Sequence, residues 1–200
     1  AYAAKRSGVL VHGYCVMANH YHVVLTDVDG KLPVFAHLLN MFIGRGVNAM
    51  YGRWESFWAP GSYSAVKLVG ENDVLAKLVY SLQNPVEAGL VESSKLWPGL
   101  CSQPEDMLGK RIEVPRPEHF FRKKGKVPAS VTLTLSPPPG VDGERLAANA
   151  GILLELHEGQ LRAQVRARGD RFMGVKAVMR QRPFDAPKSR EPRRGMNPRV

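Results

Sequence analysis

The sequence predicts an α+β fold: an antiparallel sheet with helices packed on it, followed by a basic helical extension. Three observations predict it. Two β-rich runs, "GVLVHGYCVM" and "HYHVVLTD", stand only the dipeptide "AN" apart, the spacing of a tight hairpin. Apolar residues recur with a helical period in 34–52, 71–85 and 142–169, each able to lay a stripe on a sheet. Charge is the third. Of a net +10, residues 160–200 carry twelve Lys/Arg against three acids, a net +9, and the rest of the chain is nearly neutral.

Two hundred residues at 44% hydrophobic content can bury a real core, as one domain with an extension or as two small domains. No run approaches about eighteen apolar residues, so no membrane-spanning helix is expected. The opening "AYAAKRSG" lacks the apolar stretch of a secretory leader. Cys15 and Cys101 have no metal-ligand spacing and are expected as reduced thiols in the cytoplasm.

The elements follow in order. "AYAAKRSG" reads as the end of a helix. Residues 8–17 are rich in Val, Leu and Tyr and read as a strand. The run after "AN" is its antiparallel partner, and 27–33 is a loop. In 34–52 the apolar positions 34, 35, 38, 39, 42, 43 and 47 make a helix, weakened by Gly44 and Gly46. Pro60-Gly61 is a turn, and the alternation in "YSAVKLV" predicts a strand over 63–69. In 71–85, Val74, Leu75, Leu78, Val79 and Leu82 form the buried stripe of a helix that ends or bends at Pro85. From about 99 prolines punctuate the chain. "VTLTL" within 129–140 alternates strictly and is a strand, stopped by three prolines. A long amphipathic helix spans 142–169 and a short basic helix lies within 171–184. Residues 185–200 have no hydrophobic period and are expected to be disordered until a partner orders them. The organisation expected is 1–98 as one domain, 99–141 as a Pro-rich connection, 142–184 as a helical basic region and 185–200 as a basic tail.

Four residues carry chemistry. His20 and His22 are i and i+2 on a strand, so both imidazoles share a face about 6.5–7 Å apart and can converge on one cation. Tyr21 then points to the other face. Tyr80 and Asn84 are i and i+4 on a helix and share its face. A tyrosine hydroxyl can act as a nucleophile, and an amide oxygen is a hard ligand. Alone, each has a plainer explanation: half-buried histidines bonded to backbone, a tyrosine at the edge of a core, an asparagine ending a helix before proline.

Together they follow a known order. "VMANHYHVVLTD", "FWAPGSYSAVKL" and "LVYSLQNPVEAGLV" followed by "WP" resemble the bacterial single-tyrosine HUH transposases, nearest the REP-associated tyrosine transposases and insertion-sequence transposases. The resemblance runs from about residue 8 to 98. It implies a ferredoxin-like sheet, with His20 and His22 as metal ligands, Tyr80 as the nucleophile and Asn84 as the residue that completes the metal site. It implies a transposase: metal-dependent cleavage and rejoining of single-stranded DNA through a 5′-phosphotyrosine. The cofactor implied is a divalent metal ion, Mg²⁺ or Mn²⁺; imidazoles with an oxygen ligand suit Mn²⁺ well. The partner implied is single-stranded or hairpin DNA, bound by a monomer or a homodimer, in a nucleoid-associated protein.

Trp54, Phe57, Trp58 and Tyr63 could stack unpaired bases. Trp54 and Phe57 are expected in the core, which leaves Trp58 and Tyr63 for DNA. Arg190, Arg193 and Arg194 in the tail are the expected phosphate contacts. The chain departs from the family at its start. With "AYAAKRSG" as the end of a first helix, the first strand and most of that helix are missing, and the histidine-bearing strand lacks its neighbour; the expectation is an N-terminally incomplete domain with weak or no catalysis. The rival reading is a catalytically inactive or domesticated DNA-binding remnant of such a transposase. A small zinc-binding module fails on ligand count.

Overall fold

In the computed structural model, residues 1–59, 64–118, 120–121 and 125–182 are described. They form an α+β fold of five helices and two small antiparallel sheets: α1 (Tyr2–Ser7), β1 (Leu10–Val16), β2 (Tyr21–Thr26), α2 (Leu32–Tyr51), α3 (Glu71–Glu87), β3 (Arg111–Pro115), β4 (Ser130–Thr134), α4 (Gly143–Ala167) and α5 (Val175–Arg180). β1 pairs with β2 and β3 with β4, each pair forming its own two-stranded sheet. No helix is long and apolar enough to cross a membrane among the described residues.

The β1–β2 hairpin is the centre of the molecule, and strand alternation decides what lies on each side. Val11, Val23 and Leu25 turn one way, where Ala3 and Ala4 of α1 and Phe35 of α2 close a core with Leu135. Val24 turns the other way and meets Leu78 of α3, with Leu146 and Ala147 of α4 behind it. A third cluster, Val79, Leu82, Ala150 and Leu154, locks α3 to α4. The same alternation sends Tyr21 toward α2, where its hydroxyl donates to Asn40 Oδ1 at 2.6 Å, and sends His22 toward α3 with Val24.

Close approach of α3 depends on Gly13. A Cβ there would stand 2.8 Å from Leu78 Cδ2 and 3.3 Å from Ser102 Oγ, and Leu78 is fully buried. Gly13→Ala should therefore push α3 off the hairpin at a cost of about 1–3 kcal/mol. Urea denaturation reads that cost directly, and an unchanged midpoint would show that α3 has room to give.

Residues 100–102 and 135–136 line the free edge of β1. Val16 N–H donates to Leu100 C=O (2.7 Å), Ser102 N–H to Tyr14 C=O (2.9 Å) and Ser136 N–H to Val11 C=O (3.1 Å). The outer edge of β2 carries no strand among the described residues. α4 begins where Asp142 accepts the Arg145 N–H, as an N-cap does. Farther along, the buried Glu158 accepts the Ser94 N–H at 2.8 Å.

Three expectations are corrected. Residues 64–69 form no strand; Leu68 packs on the Val24–Leu78 cluster, but Val66 and Val69 are exposed and no strand pairs with them among the described residues, so alternation alone does not make a strand. α3 does not end at Pro85 but continues to Glu87. Proline there removes only the N–H that would reach Ser81, close to the helix end, and its buried ring packs in compensation. Trp54 is 89% exposed and Phe57 is exposed at 38%, so neither is a core residue; both follow the end of α2, where Phe57 lies at the surface against Gly44 and Trp58. β3 was not anticipated, because "RIEVP" is short and mostly exposed and exists by pairing with "SVTLT". The 142–169 helix and the short basic helix are present as α4 and α5. Tyr63, Arg190, Arg193, Arg194 and the whole 185–200 tail lie outside the described residues.

Candidate active site

β2 and α3 bring His20, His22, Tyr80 and Asn84 together. His20 stands just before β2 and His22 within it, on the face that Val24 buries against Leu78. That contact fixes α3 beside the strand, and Tyr80 and Asn84, one turn apart, come to the histidines. The rings form a row. His20 and His22 lie edge to face with centroids 5.0 Å apart, and His22 and Tyr80 likewise at 5.4 Å. Tyr80 is 42% exposed, so a large ligand can reach its hydroxyl.

Each donor atom has a defined state. His20 Nδ1 lies 2.7 Å from Asn19 Oδ1; an amide oxygen only accepts, so Nδ1 carries the proton and the Nε2 lone pair is left for a ligand. His22 Nε2 is buried without a hydrogen-bond partner, a state that costs about 1–3 kcal/mol unless something binds it. Asn84 Nδ2 donates to the Tyr80 carbonyl at 2.7 Å. This orients the amide, whose acceptor is Oδ1. Asn84 approaches His22 closely enough to favour the charged ring without closing a bond to Nε2.

No cluster of three or more His, Cys, Asp and Glu side chains suited to a metal occurs among the described residues. The candidate donor set here is two imidazole nitrogens and one amide oxygen, the last of a type outside that group. An orphaned buried nitrogen beside an oriented amide and a tautomer-fixed imidazole fits a divalent cation. It leaves coordination positions open for substrate oxygens.

Two residues at the site had not been singled out from sequence. Asn19 orients His20 as its immediate neighbour. Lys77 places Nζ over the Tyr80 ring, 5.1 Å from its centroid, and the signal for it was the i−3 spacing on one helix face. Trp58 is partly buried: its indole N–H donates to the Asn40 carbonyl at 2.9 Å, and Tyr21 and Phe57 pack edge-on against it. Trp54 is the freely exposed indole instead.

Two histidines hold neutral rings inside the fold. Burial pushes the pKa of His22 down, and the His20 ring beside it adds to that. Burial likewise lowers His12, partly offset by the Ser136 carbonyl 2.7 Å from Nδ1. In an unfolded chain both would charge near pH 6.5. As pH falls, the unfolded state therefore takes up protons first, and stability present above that pH is lost as pH drops toward the folded-state values. The urea midpoint should fall between about pH 7.5 and pH 5.5, and His12→Gln should flatten that slope. An equal midpoint at both pH values would show that the rings are not held neutral.

No protein-family model, curated protein or solved structure matches the chain.

Proposed function

We propose that the chain is a DNA strand transferase of the single-tyrosine HUH type, a transposase acting on single-stranded or hairpin DNA. The observation that carries this reading is the row His20–His22–Tyr80, with centroid spacings of 5.0 and 5.4 Å and the Asn84 amide beside it. A solvent-reachable tyrosine in a row with two imidazoles suits a nucleophile beside a cation site. A core tyrosine would need neither.

In this reading the Tyr80 hydroxyl oxygen attacks the phosphorus of a phosphodiester. The bond from phosphorus to the 3′ oxygen breaks. The 5′-phosphate stays on Tyr80, the phenolic proton is released, and the departing 3′ oxygen takes up a proton. Rejoining is the reverse attack by a 3′-hydroxyl, and the phosphotyrosine link conserves the bond, so no nucleotide cofactor is needed. A divalent cation, Mg²⁺ or Mn²⁺, held by His20, His22 and Asn84 supplies Lewis-acid polarisation of the phosphate. Lys77 adds positive charge beside the attacking ring, where phosphate charge gathers. Arg190, Arg193 and Arg194 would add salt-dependent phosphate contacts, and Tyr63 and Trp58 would stack bases, with exposed Trp54 a better platform than the tied-down Trp58.

The β1–β2 hairpin would be part of a ferredoxin-like sheet. The outer edge of β2, which carries no strand among the described residues, favours a second reading, a remnant that binds DNA without cutting it. A single-stranded hairpin oligonucleotide labelled at its 3′ end separates them. With Mn²⁺, the strand transferase carries the label on the protein through a denaturing gel and releases an unlabelled fragment ending in 3′-OH. DNA binding with no transferred label would leave only the remnant.

A further inference from the structure

Cys15 and Cys101 are Cα partners in an antiparallel bridge. The bonds flanking them are Val16 N–H to Leu100 C=O and Ser102 N–H to Tyr14 C=O. The two cysteines therefore form a non-hydrogen-bonded pair, the type in which Cα atoms stand about 4.5 Å apart and side chains are closest. That separation lies inside the range a disulfide spans, about 4.4–6.8 Å. Cys101 Sγ lies 3.5 Å from the Ser102 carbonyl and 3.9 Å from that of Leu82, and the proximity of the two thiols lowers the pKa of Cys15 and raises that of Cys101. A third sulfur, Met17 Sδ, lies 3.9 Å from Cys15 Sγ. Cys15 is fully buried, and Cys101 is partly open to solvent.

We infer that Cys15 and Cys101 are a reversible oxidation site, a dithiol that a small-molecule disulfide such as oxidised glutathione converts to a cross-strand disulfide. Cys101, the less buried of the two thiols, gives up its proton as it attacks the small disulfide, breaking that S–S bond and expelling one small thiolate, which takes up a proton. Cys15, losing its proton, then attacks the Cys101 sulfur of the mixed disulfide and expels the second. Two protein S–H groups become one S–S bond, and one small disulfide becomes two thiols, so two electrons and two protons are accounted for. The bridge would close the chain from 15 to 101 into a loop. That loop contains His20, His22, Tyr80 and Asn84, and Cys15 is also the register partner of His22. The bond would fix β1, the partner of the site-bearing strand β2, to the segment along its other edge. The inference does not depend on the DNA reading.

The test equilibrates the intact chain with oxidised or reduced glutathione, alkylates remaining thiols and measures intact mass and peptides. Expected in the oxidised arm are a monomer lighter by two hydrogens, no alkylation and a linked Cys15–Cys101 peptide, all reversed by dithiothreitol. The oxidised chain should melt higher by about 5–10 °C, because a long loop is closed in the unfolded state. Cys15→Ser should stop at glutathione on Cys101, and Cys101→Ser should leave Cys15 unmodified, with far-UV circular dichroism showing each variant folded. Two alkylated thiols in wild-type protein after oxidation, or a disulfide-linked dimer, would overturn the inference whatever the variants do.

Discussion

Replacing Tyr80 with phenylalanine is expected to abolish the covalent protein–DNA adduct and to lower single-strand cleavage at least ~10³-fold. The variant removes one oxygen and keeps the ring. The edge-to-face contact with His22 and the position of Lys77 over the ring both survive. Because Tyr80 is 42% exposed, losing its hydroxyl costs the fold little, and the urea midpoint should stay within about 0.5 kcal/mol of wild type. That combination separates chemistry from stability. Cleavage that persists at wild-type rate in Tyr80→Phe would remove Tyr80 from the reaction, and with it the strand-transferase reading. The 3′-label assay reads adduct and product in one gel.

Removing His22 should have the next largest effect. Its Nε2 is the one buried nitrogen of the row with no bond of its own, so it has most to gain from a cation. His22→Ala should weaken Mn²⁺ binding at least ~10²-fold, beyond what is typical of losing an outer supporting residue. Calorimetric titration of the protein without DNA measures this independently of catalysis. Stability should change little or rise slightly in the absence of metal, because an unpaired buried polar atom has been deleted. His20→Ala should weaken binding too, and Asn19→Ala should do so more mildly by releasing the His20 tautomer. Unchanged Mn²⁺ affinity in His22→Ala would mean that the row holds no cation, and that His22 is an ordinary buried histidine. The reading of the 3′-label assay would then have to stand without a metal.

Much of the candidate site could be read along the chain because its geometry is local. The i, i+2 spacing of His20 and His22 on a strand and the i, i+4 spacing of Tyr80 and Asn84 on a helix each place two groups on one face by backbone period alone. The helices and the hairpin were legible for the same reason. Legibility failed where an outcome depends on a neighbour. Residues 64–69 have a strand's alternation and, among the described residues, no strand to pair with. "RIEVP" has a weak pattern and becomes β3 because "SVTLT" lies against it. Trp54 and Phe57 have core chemistry and stand at the surface.

The sequence by itself determined an α+β chain, the two faces on which four reactive groups stand, and a basic charge gathered in its last fifth. These follow from periods of 2 and 3.6 residues and from counting charges, which need no partner. Only the tertiary structure decided that the two faces meet. Val24 packing on Leu78 across Gly13 brings β2 and α3 together, leaving His22 Nε2 buried without a partner and Tyr80 open. It also decided that Cys101, 86 residues away in the chain, lies opposite Cys15. Contacts between distant segments depend on shape and volume, which no local spacing encodes.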